Sequence, residues 1–335
     1  MSSLDRFDWL SKVREEPVDP QRRILDSHHH LWDRGGSKYL MEEFAADTSL
    51  THNVIGTVFV ECMASYRVEG PEKFRPVGEV EFVAVEAARS NELDASPILG
   101  IVGFADLCLG ETVVDVLGEL ESVGSGLFRG IRYSTAWDAS AEIRPGHTNP
   151  TPQIMEDQTF RTGLMALGSM GYTFDAWLYH PQLNDFASLA NSCPEVTMIL
   201  NHLGGPLGIG PYAGKHDEVV EQWQSSMRLV AKQPNVFIKI GGLGLDWYFG
   251  TGWTKRAIPP TSDELARYWA PMVHWCIDTF GPSRCMFESN FPVDRQSSSY
   301  GTLWNAFQKL ADRYDNDEQD ALFCNTAIQV YDLDF

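Results

Sequence analysis

The feature that most limits the fold of this chain is an alternation of two periods. Short β-branched or apolar runs recur at 23–29 (RILDSHH), 54–62, 98–107, 127–134, 172–180, 196–204, 235–243 and 285–293. Between most of them lie segments with helical spacing of apolar residues, at 78–90, 111–122, 158–170, 183–193, 217–233 and 263–280, and a helical tail at 304–333 completes the set. Strand then helix, repeated about eight times without an intervening linker, predicts an α/β protein with one (β/α)8 TIM barrel over residues 23–335. A doubly wound open sheet would need a switch point and usually a glycine-rich turn after its first strand, whereas the first strand here ends in histidines. Residues 1–22 are polar, contain Pro17 and Pro20, and read as an extension on the domain surface or frayed, with no chemistry of its own.

Charge narrows the partners. Against 46 Asp and Glu stand 26 Lys and Arg, a formal net charge of −20 that disfavours nucleic acid and anionic membrane surfaces. The N-terminal stretch lacks the apolar centre of a signal peptide, and no apolar run is long enough for a membrane span, so a cytoplasmic protein is expected, with a small-molecule substrate and room for a homo-oligomer. The six cysteines contain no Cys-x-x-Cys pair and read as reduced, mostly buried packing residues.

The strongest chemical signal is Asp26-Ser-His28-His29-His30-Leu-Trp32. Strand alternation puts Asp26, His28 and His30 on one side and His29 on the other. A His-x-His pair at a strand end suits a divalent metal, or a paired acid/base and anion-binding role. The fifth strand runs into His180 and the sixth into His202, and in a barrel all these ends open on one C-terminal face, where active sites are built. Glu61 ends the second strand, Arg132 and Tyr133 the fourth, and Gln182 follows His180. Arg132 offers a planar fork for a substrate carboxylate or an oxyanion, and equally for a salt bridge to Glu61 or Asp26. The aromatic-rich stretch 245–253, with Trp247, fits a lid or pocket wall or else a subunit contact. With Trp32, Tyr133, Gln182 and Asn290, it completes the candidate substrate-binding set. No Gly-x-Ser-x-Gly and no phosphate-loop ending is present.

Asp-x-His-x-His-x-Trp at 26–32, WLYHPQL at 177–183, NHLGGP at 201–206 and SNFPV at 289–293 resemble the amidohydrolase superfamily. The similarity is to its TIM-barrel lactonases related to 2-pyrone-4,6-dicarboxylate lactonase and sugar-lactone hydrolases. The resemblance implies that His28, His30 and His180 hold a divalent metal and that His202 assists the reacting carbonyl. It also implies an aspartate at the end of the eighth strand as metal ligand and base, a position taken here by Asn290. A neutral amide cannot be a general base, which leaves Asp294 or Glu288 for that work. The expectation is therefore a hydrolase that opens a lactone, of a carboxylated or cyclic catabolic intermediate. In it His28, His30 and His180 polarise the carbonyl or hold a metal-bound water, His202 stabilises the oxyanion and Asp294 accepts the water proton. One zinc or manganese, or a metal-free mechanism, both remain open. The alternatives are a non-oxidative decarboxylase on the same scaffold and, because of Asn290, a catalytically silent ligand-binding barrel.

Overall fold

Eight parallel strands form one sheet in sequential order: β1 Arg23–His29, β2 Asn53–Val60, β3 Ile98–Gly103, β4 Phe128–Ser134, β5 Thr173–Trp177, β6 Met198–Leu200, β7 Val236–Ile240 and β8 Cys285–Phe287. The computed structural model describes residues 6–49, 52–93 and 95–334, apart from the side chains of Asn91, Trp247 and Tyr248. The ring closes just beyond β8: His30 N donates to Phe291 O at 2.7 Å and Asn290 N to His28 O at 2.8 Å. The predicted barrel is thus present, with its seam stitched beside the histidine motif.

Helices fill the crossovers, and their ends follow local chemistry. In the longest, Ser262–Phe280, the Thr261 hydroxyl accepts from Glu264 N and the Glu264 carboxylate accepts from Thr261 N, a reciprocal cap. Leu265, Trp269, Val273, Cys276, Ile277 and Phe280 make the buried stripe of this helix. None of the described helices is long and apolar enough to cross a membrane. The six cysteines are unpaired; Cys193, Cys276, Cys285 and Cys324 are buried, while Cys108 is exposed.

Two cores result. One lies between helices and sheet. The second fills the barrel with Leu25, Val58, Val60, Val102, Ile199 and Met286, on which Tyr331 and Leu333 of the C-terminal segment pack. The tail therefore does more than supply the helix Tyr300–Ala311: past it the contiguous short helical segments Asn316–Asp320, Ala321–Asn325 and Thr326–Val330 lead to the end that plugs the interior. The sixth and eighth strands are three residues each, shorter than the apolar runs suggested, because the chain leaves the ladder where Asn201 and Glu288 begin the polar mouth. Residues 6–22 lie across the barrel: Arg6 donates to Gln296 O and Thr254 O, Trp9 Nε1 to Arg256 O, and Val18 N to Asn305 Oδ1.

Candidate active site

At the C-terminal mouth β1 delivers His28 and His30, whose Nε2 atoms lie 3.1 Å apart. His30 is fixed by Nδ1 on Val60 O at 2.7 Å and reaches Asn290 Oδ1 at 3.2 Å. His29 points away and stacks on Phe44, with ring centroids 4.2 Å apart. Asp26 departs from the expected alternation. A register shift between Asp26 and His29 breaks the period of two, and Asp26 turns to the helix side, where Ser289 Oγ and Tyr300 OH donate to it at 2.6 and 3.0 Å. Its role is to bind β1 to the segment after β8.

The sixth and eighth strands supply the rest. His202 stands at the tip of β6 with φ 52°, in the left-handed region that non-glycine residues adopt at some cost. Its Nδ1 lies 2.6 Å from Glu288 Oε1, which also accepts from His202 N at 3.1 Å. Glu288 is the first residue past β8 and is fully buried. Its other oxygen, Oε2, is 2.6 Å from His28 Nδ1 but off the hydrogen-bonding line, so both atoms are buried polar atoms without a hydrogen-bond partner. Close approach here depends on the two glycines that follow β7. A Cβ on Gly241 would come within 2.2 Å of Glu288 Cγ, and one on Gly242 within 2.6 Å of the His202 ring. Gly241→Ala is therefore expected to push Glu288 off its two histidines and lower kcat roughly 10- to 100-fold, more than KM changes. Steady-state kinetics on that variant, with melting temperature as the folding control, checks this.

On the opposite wall Arg132 is gripped by Glu61. Nε donates to Oε1 at 2.8 Å and Nη2 donates to the Glu61 carbonyl, while Nη1 comes within 3.4 Å of His28 Nε2. Of the two readings of Arg132, the salt bridge to Glu61 is the one present, with one edge of the fork turned to His28. The Trp32 ring lies 6.4 Å from that of His30 and its Nε1 donates to Ser37 Oγ. Below them Lys239 pairs with Asp175 at 2.8 Å inside the barrel, fully buried.

Burial dominates the electrostatics. It holds His28 and His30 well below the ordinary imidazole range, helped by the nearby charges of Lys239 for His28 and Arg132 for His30, so both rings are neutral at pH 7. Neutral imidazoles accept, polarise and ligate.

Several expected site residues do other work. Tyr133 alternates to the opposite face from Arg132, packs on Phe160 and reaches Asp106 Oδ1 with its hydroxyl; it does not face the mouth. Gln182 is fully employed, accepting from Trp137 N and donating to Thr135 O, and so fixes the loop after β4 instead of meeting a substrate. Asp294 sits behind Asn290, accepting from Asn290 Nδ2 at 2.9 Å and Gly244 N at 3.0 Å, and burial pushes its carboxyl up to about 8. His180 accepts from Leu207 N through Nδ1 and packs on Tyr212, its Nε2 buried without a partner. The Trp247 side chain lies outside the described residues. Sequence reasoning gave no role to His147, whose Nε2 is 3.5 Å from Glu61 Oε2, because it sits in an irregular loop without periodicity. Lys239, hidden in an apolar run, was equally silent.

Among the described residues one group of His, Cys, Asp and Glu brings three ligand atoms within 4.8 Å of one another: His28, His202 and Glu288. Two imidazoles and a carboxylate, buried, with Nδ1 of His28 and Oε2 of Glu288 unsatisfied, form a donor set that suits one divalent ion of the zinc type. His30 and His180, expected as ligands beside His28, fall outside this group.

Comparison with known proteins agrees with this architecture. The protein y4mH of Sinorhizobium fredii is 32% identical over 331 residues, covering 92% of this chain and 98% of that protein. An L-fucono-1,5-lactonase of Burkholderia multivorans is 27% identical over 246 residues, covering 72% of this chain and 73% of the relative. Among solved structures, an amidohydrolase from Burkholderia multivorans with bound zinc superimposes with a TM-score of 0.71 at 21% identity, covering 93% of this chain and 99% of that one. The sequence profile of the amidohydrolase family spans residues 25–333, from the strand that carries His28 and His30 to the plug at the barrel's base, and the chain belongs to that family.

Proposed function

We propose that this protein is a hydrolase that opens the ester bond of a lactone. The observation that carries the reading is the His202–Glu288 pair at the mouth. A buried carboxylate 2.6 Å from Nδ1 fixes the ring and leaves Nε2 as a proton acceptor. In the proposed reaction His202 Nε2 takes a proton from water attacking the lactone carbonyl. Glu288 stabilises the imidazolium that forms, and the Nη1 edge of the Arg132 fork donates to the developing oxyanion. The proton then passes from His202 to the ring oxygen as the C–O bond breaks, giving the hydroxy acid. A divalent ion held by His28 and Glu288, whose Nδ1 and Oε2 lack hydrogen-bond partners, would supply Lewis acidity and lower the pKa of a bound water, with His202 left as the proton acceptor. The lactonase name of the Burkholderia relative and the zinc in the structural neighbour support both parts of the reading.

The test is proton release from a panel of five- and six-membered sugar-acid and pyrone lactones, with carbon dioxide release from hydroxybenzoates run in parallel. Acid release that falls on chelation and returns with zinc is the expected result, together with about one metal per chain that is lost in His28→Ala/Glu288→Ala. Carbon dioxide without acid release would replace hydrolysis by decarboxylation. Lactone binding without turnover would leave a silent barrel.

A further inference from the structure

Behind the loops that follow β6 and β7 lies a cavity of about 250 Å³. It is enclosed by the loop from Pro206, the start of the helix His216–Ala231, the stretch between Leu243 and Gly250, and the middle of the helix Ser262–Phe280. None of His28, His30, His202, Glu288 and Arg132 lines it, so it is separate from the reaction mouth. Leu207, Val219, Leu243 and Trp269 of its wall are buried, whereas Tyr268 and His216 are exposed, so the cavity opens to solvent on their side.

One wall is two backbones in contact. Gly208 and Gly250 both line the cavity; a Cβ on Gly208 would come within 2.5 Å of Phe249 O, and one on Gly250 within 2.7 Å of Gly208 O. Any larger residue at either position would part the two loops, so the space beside them comes with a close-packed backbone, not with loose side chains.

The lining selects the occupant. Among the described residues no carboxylate, lysine or arginine faces the cavity, which leaves nothing to compensate a charged ligand. Trp269 is 3% exposed, and its indole Nε1 is a buried donor without a hydrogen-bond partner among the described residues. A buried N–H left unpaired is costly, and an acceptor on a bound molecule relieves that cost. An apolar cavity of about 150 Å³ accommodates one benzene ring, so the larger volume here suits one ring with a short substituent.

We propose that this cavity is a second ligand site, for a small uncharged aromatic molecule whose single ring carries a hydrogen-bond acceptor such as a carbonyl oxygen. The ring packs against the aliphatic and aromatic wall, and Trp269 Nε1 donates to the acceptor. The occupant is distinct from the molecule that reacts at the histidines.

The test titrates acetophenone and ethylbenzene, which share nearly one shape but of which only the first has an acceptor, by ligand-observed NMR. The proteins are wild type, Trp269→Phe, Met272→Trp and His28→Ala/Glu288→Ala, with melting temperature as the folding control. Wild type is expected to bind acetophenone about fivefold or more tighter than ethylbenzene, and Trp269→Phe, which keeps a ring without the N–H, should bring the two within about twofold. Met272→Trp, which fills the cavity from the helix Ser262–Phe280, should weaken both about tenfold or more; if that variant does not fold, Val220→Phe fills it from the helix His216–Ala231. His28→Ala/Glu288→Ala should bind acetophenone as wild type does. No saturable binding of either probe, equal binding of both, a preference that Trp269→Phe keeps, or loss of acetophenone binding in His28→Ala/Glu288→Ala overturns the site.

Discussion

Glu288→Gln is expected to lower kcat by about two to four orders of magnitude with KM changed far less, because the carboxylate fixes the ring that moves the proton without itself touching substrate. In the native protein Oε1 accepts from His202 N and lies 2.6 Å from His202 Nδ1, a contact that favours the tautomer with its proton on Nδ1. Glutamine has nearly the same shape, so packing among Gly241, His28 and His202 is kept. It no longer has the negative charge that stabilises a protonated His202, and its amide N–H can pair with Nδ1, which would leave Nε2 protonated and unable to accept. The measurement is kcat by proton release, with melting temperature as the folding control. Glu288→Asp, which keeps the charge at a shorter reach, is expected to recover part of the rate. A Glu288→Gln enzyme within about fivefold of wild-type kcat would remove the dyad from the mechanism, since a purely packing role predicts that outcome.

The way this site was and was not legible in the sequence follows from which physical signals are local. The barrel was legible because its two periods, two and 3.6, are written along every element, and because eight strand ends on one face make separate histidines converge. His28 and His202 stood out for that reason. Asp26 was misplaced because a bulge of one residue, which no period reveals, turns it from the mouth to Tyr300. Tyr133 and Arg132 are neighbours on β4, so only one can face inward, and a strict alternation argument would have chosen Arg132. Glu288 was weighed only as an alternative, since the eighth strand stops at Phe287 and the first inward position after it is the glutamate, whereas Asn290 pairs with His30 and screens Asp294. Gly241 and Gly242 give no sign in sequence of what they make room for; that depends on two other strands. His147 needed the path of a loop, which side-chain packing decides.

Lys239→Met should cost the fold about 3–5 kcal/mol, read as a fall in the urea midpoint. Lys239 Nζ and Asp175 Oδ2 meet at 2.8 Å, and both side chains are wholly removed from water. Asp175 also accepts from Asn201 Nδ2 at 2.8 Å and from Tyr331 OH, so its carboxylate is served by one charge and two neutral donors. Methionine fills the volume of lysine but leaves that carboxylate with neutral donors alone, and an uncompensated buried charge costs more than the pair contributes. Adding Asp175→Asn to Lys239→Met removes the stranded charge while keeping an acceptor for Tyr331, so the double variant should be more stable than Lys239→Met alone. A single variant within about 1 kcal/mol of wild type would show that water or relaxation already compensates Asp175. The consequence reaches the site through charge as well as packing. Lys239 is among the charges that, after burial itself, keep the His28 ring neutral, and Tyr331 ties Asp175 to the C-terminal plug. The pair therefore joins the two halves of the barrel interior: below it apolar side chains hold the strands together, and above it the field of one buried ammonium helps to keep the His28 imidazole in the form that accepts.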